Sequence, residues 1–241
     1  MSVIIGEDKI KSIYVGEQKI VKAYVGANLV FSAKKPSRLP DGYTELEYIQ
    51  LGPNNTTLAN FSLASARTDQ VVTIDFTAVT YPTSGTSTIL FSYAVVSQTQ
   101  KTRDHLYLQS NNSLKMGSSE GSVTTAGTIT LFSNAILPKR VKVVVDGPNK
   151  GVRIDDGPLT VFPSFGVGTN WLLGPLYAST SGWKAACVKV HSIKIDSAGS
   201  ASASYNKDLI PAKNSAGRVG FYDLRNSKFI YNTSLIAGPA V

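Results

Sequence analysis

The chain has 241 residues, a formal net charge of +8 and one cysteine, Cys187. A single cysteine excludes an internal disulfide framework and a cysteine-based zinc site. No apolar stretch reaches a length of about twenty residues, which excludes a membrane-spanning helix. The basic residues are dispersed and are not interleaved with aromatic residues, so we expect neither a nucleic-acid partner nor membrane insertion.

The first 33 residues repeat a short pattern three times, with the glycines ten residues apart. Each unit has an aliphatic residue, a glycine, two or three polar residues and a second aliphatic residue, which predicts short strands joined by tight turns. Because a two-stranded ribbon is marginally stable in water, we expect this segment to pack on its own chain, on copies of itself or on a larger assembly. The residues assigned to oligomerisation or docking are Ile5, Gly6, Ile10, Val15, Gly16, Ile20, Val25, Gly26 and Val30.

A polar stretch at 34–38 contains Pro36, which interrupts both helices and sheets. We therefore predict a β-repeat segment at 1–33, a linker at 34–38 and a separate domain at 39–241. From residue 39 onward the hydrophobic pattern has a period of two, which is typical of strands with one buried face. The strands are predicted at 44–51, 71–79, 88–96, 106–109, 113–116, 128–132, 139–146, 152–154 and 185–195, with a loop at 117–127.

The last of the long predicted strands changes parity within its length. Val188 and Val190 share one parity, whereas Ile193 and Ile195 share the other. A one-residue slip reverses the face of every later side chain, so we expect a β-bulge near His191. Strands at roughly ten-residue spacing without longer helical periodicity predict an all-β, antiparallel two-sheet sandwich.

No arrangement of residues in the sequence indicates catalysis or metal binding. Glu45 and Glu47 share a strand face, but a solvated face explains them better than a glycosidase acid pair. His105 and His191 are far apart in the chain, and the acids are not clustered. We expect no catalytic residue, no metal and no cofactor, and we expect Cys187 to be an inert core residue.

Three aromatic residues, Trp171, Tyr177 and Trp183, lie in a region rich in glycine and serine. Aromatic rings in such loops commonly stack on sugars, so these residues are candidates for a glycan-binding surface. A core role for the same residues is equally compatible with the sequence, because tryptophan usually buries most of its area.

Two stretches resemble a known family. Residues 39–50, LPDGYTELEYIQ, are similar to the opening of laminin-G-like (concanavalin A-type) domains of phage tail and other virion proteins, and of related surface proteins of gut bacteria. Residues 208–232, DLIPAKNSAGRVGFYDLRNSKFIYN, resemble the closing signature of the same domains. The resemblance implies a jelly-roll sandwich that is displayed on a virion and engages cell-surface or mucosal glycans, but it transfers no binding site. We interpret both motifs as structural, with buried apolar anchors and turn-forming acids and amides that fix the last strands. The N-terminal repeat also resembles short repeats at the start of many phage structural proteins.

The leading hypothesis is a non-enzymatic bacteriophage virion protein that associates with other virion proteins as a homo-oligomer, with a trimer favoured. A tail or baseplate location is preferred, and a head fibre or capsid decoration protein is the alternative. The start of the sequence shows no secretory signal, so we expect assembly in the host bacterial cytoplasm. A stand-alone carbohydrate-binding module and a glycan hydrolase are two further hypotheses.

Overall fold

The computed structural model describes residues 13–15, 18–20, 22–25, 28–32, 37–51, 61–65, 69–80, 87–94, 102–109, 113–120, 123–161, 170–173, 187–197, 205–232 and 235–241. It divides into two compact units, Met1–Ser37 with Val241, and Arg38–Ala240. Within these described ranges no helix has the length and hydropathy needed to cross a membrane.

The N-terminal unit contains four short strands: β1 (Ile13–Val15), β2 (Gln18–Ile20), β3 (Lys22–Val25) and β4 (Asn28–Ser32). β1 pairs with β2 and β3 pairs with β4, both antiparallel, and the two pairs are separate two-stranded sheets. The prediction of short strands in the repeat is confirmed for this part of the chain. Val15, Ile20, Val25 and Val30 lie in these strands, whereas Ile5, Gly6, Ile10, Gly16 and Gly26 lie outside the described residues.

The larger unit consists of strands and their connections. Its strands are β5 (Tyr43–Glu45), β6 (Ile49–Leu51), β7 (Phe61–Ser65), β8 (Gln70–Ala78), β9 (Ser87–Ala94), β10 (Thr102–Gln109), β11 (Ser113–Glu120), β12 (Val123–Phe132), β13 (Lys139–Asp146), β14 (Gly151–Ile154), β15 (Thr160–Val161), β16 (Asn170–Leu173), β17 (Val188–Ser197), β18 (Lys207–Asn214), β19 (Val219–Asp223), β20 (Lys228–Tyr231) and β21 (Ile236–Ala237).

These strands form two antiparallel sheets. One has six strands in the order β12-β11-β10-β9-β16-β7. The other has eleven strands: eight follow the path β15-β14-β13-β8-β17-β18-β19-β20, β5 pairs with β18, β6 pairs with β17, and β21 pairs with β6.

The two sheets enclose one hydrophobic core. Alternate residues of β8, including Ile74 and Phe76, are buried together with Leu106 and Leu108 of β10, which belongs to the other sheet. Burial of apolar area on both inner faces is the main source of stability in such a sandwich. The prediction of an all-β, antiparallel sandwich is confirmed.

The expected bulge in β17 is also confirmed. The pairing of β17 with β8 shifts register between Val190 and Ser192, which leaves His191 as the extra residue. At the same point β17 changes its other neighbour: it pairs with β6 before the bulge and with β18 after it. The bulge therefore restores the inward direction of Ile193 and lets two different strands share one side of β17.

Two predicted elements differ from the structure. The single strand expected at 44–51 is divided into β5 and β6, and Glu45, placed on a wet face, is only 5% exposed. The loop expected at 117–127 is wrong as well, because β11 runs on to Glu120 and β12 begins at Val123. Backbone ladder bonds need no apolar side chains, so a strand of serine, threonine and glycine gives no hydrophobic signal.

The two stretches that resemble the opening and closing of a known domain lie side by side. β5 pairs with β18 through Glu45 and Ala212, and Leu46 forms an isolated bridge with Ala240. The Tyr43–Leu51 segment therefore fills the space where β17 and β18 separate. The ends of this unit are held together by backbone hydrogen bonds.

Candidate functional site

A second, smaller hydrophobic cluster lies on the outer face of the eleven-stranded sheet. In β18 and β19, Leu209 and Phe221 point into the main core, whereas their neighbours Ile210 and Tyr222 belong to this outer cluster. Ile210 and Tyr222 are buried there although they face away from the sandwich interior. The partly buried residues that cover them are Leu39, Tyr43, Leu224 and Phe229.

Aromatic rings form the exposed side of this cluster. Tyr43 contacts Tyr222 edge to face, with ring centroids 4.9 Å apart, and contacts Phe229 in the same manner at 5.2 Å. Phe229 and Tyr231, two residues apart on β20, lie nearly parallel at 18° with centroids 5.8 Å apart. Such pairs contribute about 0.5–1.5 kcal/mol each beyond their buried area. The stacking contact with Phe229 restrains the orientation of the Tyr231 ring.

Arg218 completes the row of planar groups. Its guanidinium lies 4.6 Å from the centre of the Tyr231 ring and donates a hydrogen bond to the Tyr231 hydroxyl. The pairing of Gly220 with Tyr231 and of Tyr222 with Phe229 places Arg218 and Phe229 on opposite sides of Tyr231 along the strand. We call Tyr43, Arg218, Tyr222, Phe229 and Tyr231 the aromatic–arginine patch.

A tight turn between β18 and β19 positions Arg218. The backbone N–H of Arg218 donates to the side-chain oxygen of Asn214 over 2.9 Å, and the Asn214 N–H donates to the Arg218 carbonyl over 3.0 Å. Gly217 within the turn has φ of 78°, a conformation that favours glycine. The turn thus fixes the backbone of Arg218 while its side chain stays exposed.

The two acids considered for glycosidase chemistry lie in unlike environments. The Glu45 carboxylate is buried and accepts hydrogen bonds from the Arg38 backbone N–H, 3.2 Å away, and from the Arg38 guanidinium. Glu47 is exposed, beyond the end of β5. The Glu45 carboxylate therefore holds the start of the domain in place, and the expected shared strand face does not exist.

His191 is held as a neutral imidazole at the bulge. Its Nδ1 lies 2.9 Å from the Glu47 carbonyl oxygen and its Nε2 lies 2.8 Å from the Thr77 hydroxyl. A carbonyl only accepts, so Nδ1 carries the proton and Nε2 accepts from Thr77. Burial lowers the pKa of His191, and the positive charge of Arg140 lowers it further. This histidine is a structural link between β8, β17 and the segment before β6.

Cys187 is buried, as expected, and burial raises the pKa of its thiol. Of His105 only the backbone, within β10, is described. In the part of the chain that the structure describes, no three His, Cys, Asp or Glu residues are grouped so that they could hold a metal ion.

The predicted glycan residues fall largely outside the described part of the chain. The backbone of Trp171 lies in β16, between β9 and β7, and its side chain is not described. Tyr177 and Trp183 lie outside the described residues, so their role remains a prediction. The sequence patterns do not single out the patch residues Arg218, Phe229 and Tyr231. The only available signal is the shared parity of two aromatic residues in β20, within a motif assigned as a whole to structure.

No protein-family model matches the chain. No curated protein matches it by sequence either. Among solved structures, it is similar to the CBM40 of the Ruminococcus gnavus IT-sialidase bound to alpha2,3-sialyllactose, with a TM-score of 0.34 and 15% identity over 61% of this chain and 85% of that one. The same module bound to alpha2,6-sialyllactose gives a TM-score of 0.33 and 16% identity over 64% and 92%. A variant of alginate lyase A1-II′ gives 0.38 and 13% over 60% and 66%.

Proposed function

We propose that the larger unit is a non-catalytic carbohydrate-binding domain and that sugars contact the aromatic–arginine patch. The observation that carries this proposal is the placement of Tyr231, which is 43% exposed while its ring is held between Phe229 and Arg218. A large aromatic ring that is both solvent-exposed and fixed in orientation is suited to a ligand surface.

The chemistry of the patch matches the mixed character of a sugar. A pyranose presents C–H groups beside hydroxyl groups, and a tyrosine offers an apolar ring with a polar tip. The exposed edge of the Tyr231 ring would contact the C–H groups, while the Tyr231 hydroxyl and the Arg218 N–H groups would bond the hydroxyls. Because these side chains are already ordered by their mutual contacts, binding would cost little side-chain entropy.

The test is glycan-array screening of the full chain, followed by calorimetry with the best ligand. We expect Tyr231→Ala to weaken binding by about tenfold or more, consistent with the loss of one aromatic contact. Val161→Ala is the matched control, because Val161 is 60% exposed on β15, at the other edge of the same sheet. This variant should bind as the wild type does.

Two results would contradict the proposal. The absence of any bound glycan would remove the function itself. If Trp171→Ala or Trp183→Ala abolished binding while Tyr231→Ala left it unchanged, the glycan surface would be the predicted loop region and not the patch.

We further propose that this domain is displayed on a bacteriophage particle, in a tail or baseplate or, alternatively, as a head fibre or capsid decoration, and that the N-terminal repeat mediates trimerisation or docking. The specific support is that the repeat forms two separate two-stranded sheets. Isolated ribbons of this size are marginally stable, so they need a partner surface. The resemblance of the repeat and of residues 39–50 to phage proteins supports the virion setting.

Light scattering tests the trimerisation role, because it measures the mass of the oligomer. We expect the full chain to be oligomeric and a variant lacking residues 1–33 to be monomeric. Within the repeat, Ile20→Asp should lower the oligomeric mass, whereas Lys19→Asp, at the neighbouring position of β2, should leave it unchanged. A monomeric full chain would overturn the trimerisation role, and incorporation of the truncated chain into phage particles would overturn the docking role.

A further inference from the structure

We propose that the aromatic–arginine patch selects acidic sugars and that Arg218 binds their carboxylate. This inference rests on the proposed glycan-binding function and adds to it the class of ligand. It depends on the charge partners of the arginines and on the orientation of the Arg218 guanidinium.

Most described arginines on this domain already have a carboxylate partner. Arg38 pairs with Glu45, Arg140 with Asp75, and Arg225 with Asp196 over 2.7 Å. The side-chain partner described for Arg218 is instead a neutral group, the Tyr231 hydroxyl. Among the described residues, the sheet thus presents one guanidinium beside an exposed aromatic ring with no carboxylate paired to it.

Contacts with Tyr231 restrain the Arg218 guanidinium, and no acid in the described part of the chain neutralises it. Its contact with the Tyr231 ring, 4.6 Å from the guanidinium carbon to the ring centre, restrains the plane of the group. One N–H is used by the Tyr231 hydroxyl, which leaves further donors in the same plane. A planar fork with free donors matches a carboxylate, because two parallel N–H to oxygen bonds can form.

The arrangement also suits an acidic sugar as a whole. In uronic and sialic acids the carboxylate is attached directly to a ring carbon, so it lies next to the C–H groups of the ring. In the patch, the cation lies next to the aromatic ring in the same way. A sugar ring against Tyr231 and Phe229 would therefore bring its carboxylate to Arg218.

The test is an array of matched glycan pairs, each containing one uronic or sialic acid with its carboxyl free or methyl-esterified, followed by calorimetry on the best pair. We expect the wild type to prefer the free acid by about tenfold or more. Arg218→Gln should bind both members with similar, weak affinity. Arg218→Lys keeps the charge without the fork and should retain only part of the preference.

A matched control separates local recognition from net charge. Arg153→Gln removes the same charge from an exposed position on β14, elsewhere in the same sheet, and should keep the wild-type preference. Thermal unfolding of each variant shows whether it is still folded. Because Arg218 is exposed, we expect its substitution to leave the fold intact.

The outcomes separate this inference from the function on which it rests. Equal binding of both members by the wild type, or a preference that survives Arg218→Gln, would overturn carboxylate recognition and leave glycan binding in place. If the protein bound neither member of any pair and no other glycan, the proposed function would be overturned. Equal affinity for a sulfated glycan of the same charge would show that charge alone is recognised, which contradicts the carboxylate assignment.

Discussion

Asp223 accepts a hydrogen bond from the backbone N–H of Asp208, over 3.2 Å, and the Asp208 carbonyl accepts one from the N–H of Leu224, over 2.8 Å. The Asp223 carboxylate is fully buried. It also accepts from the backbone N–H of Arg225 and from the side-chain amide of Asn226. A single carboxylate therefore joins β18 to the turn between β19 and β20, as the interpretation of this motif as structural predicts.

We expect Asp223→Asn to destabilise the larger unit by about 2–4 kcal/mol, because an amide presents its own N–H groups to donors and leaves Lys207 without its anion. The Lys207 ammonium lies 3.2 Å from this carboxylate. Chemical denaturation of the two proteins measures the difference. Asp156→Asn, in an exposed turn, should change stability by less than about 0.5 kcal/mol. A small effect at Asp223 would refute the assigned role.

The stability that Asp223 provides should be lost in acid. Burial alone would raise its pKa, but the hydrogen bonds from Asn226, Asp208 and Lys207 outweigh burial and hold the pKa below its ordinary value. The unfolded state then binds the proton first, so stability falls as the pH decreases from about 4 through the folded pKa. We expect the difference in denaturation midpoint between the wild type and Asp223→Asn, measured from pH 7 to pH 3, to become smaller at the acid end. A constant gap would contradict this.

Mild acid should act through His191. Because the pKa of His191 is lowered in the folded state, the unfolded chain takes up the proton first when the pH falls through about 6.5. Stability should therefore decrease from pH 7.5 toward the folded pKa, and His191→Gln should remove that decrease. The imidazole resonances in an NMR titration report the folded pKa directly. A titration midpoint above that of a free histidine would contradict a neutral imidazole with hydrogen bonds at both ring nitrogens.

Two of the described Arg–carboxylate pairs, Arg38–Glu45 and Arg140–Asp75, should differ in strength. Glu45 is 5% exposed in its pair with Arg38, whereas Arg140 and Asp75 are 61% and 20% exposed. Double-mutant cycles with glutamine and asparagine should give a coupling of about 1.5–3 kcal/mol for the buried acceptor. The exposed pair should give about 0.2–1 kcal/mol. Similar couplings in the two cycles would contradict the difference that burial predicts.

Gly220 should not tolerate a side chain. A Cβ atom at this position would lie 2.1 Å from the carbonyl oxygen of Ile230 on the adjacent strand. Gly220→Ala must displace β20, and we expect a loss of about 1–3 kcal/mol or more in the free energy of unfolding. Gly157→Ala is the comparison, because its Cβ would lie 3.0 Å from the nearest atom, in an exposed turn. Equal effects of the two substitutions on the free energy of unfolding would show that β20 can move away from β19 at little cost.

Much of the strand framework could be predicted from local patterns. The alternation at 71–79 identified the buried face of β8, and the parity change between Val190 and Ile193 located the bulge at His191. Burial of Glu45 could not be predicted in this way, because its neighbour Arg38 lies across a turn and its covering strand, β18, comes more than 160 residues later. Polar strands such as the end of β11 could not be predicted, because backbone hydrogen bonds between strands do not require apolar side chains and so produce no hydrophobic pattern.

Local patterns were sufficient to predict an all-β sandwich preceded by a repeated N-terminal segment, because side-chain alternation is a property of each strand alone. The sequence also predicted the buried apolar anchors and turn-forming polar residues of the closing motif, such as Phe221 and Asp223. The row that Arg218, Tyr231 and Phe229 form on the sheet surface is visible only in the folded structure. Their proximity depends on the register between β19 and β20 and on the turn that precedes β19. The hydrophobic pattern and the turn geometry set this register together, so the proximity of the three side chains cannot be derived from either strand alone.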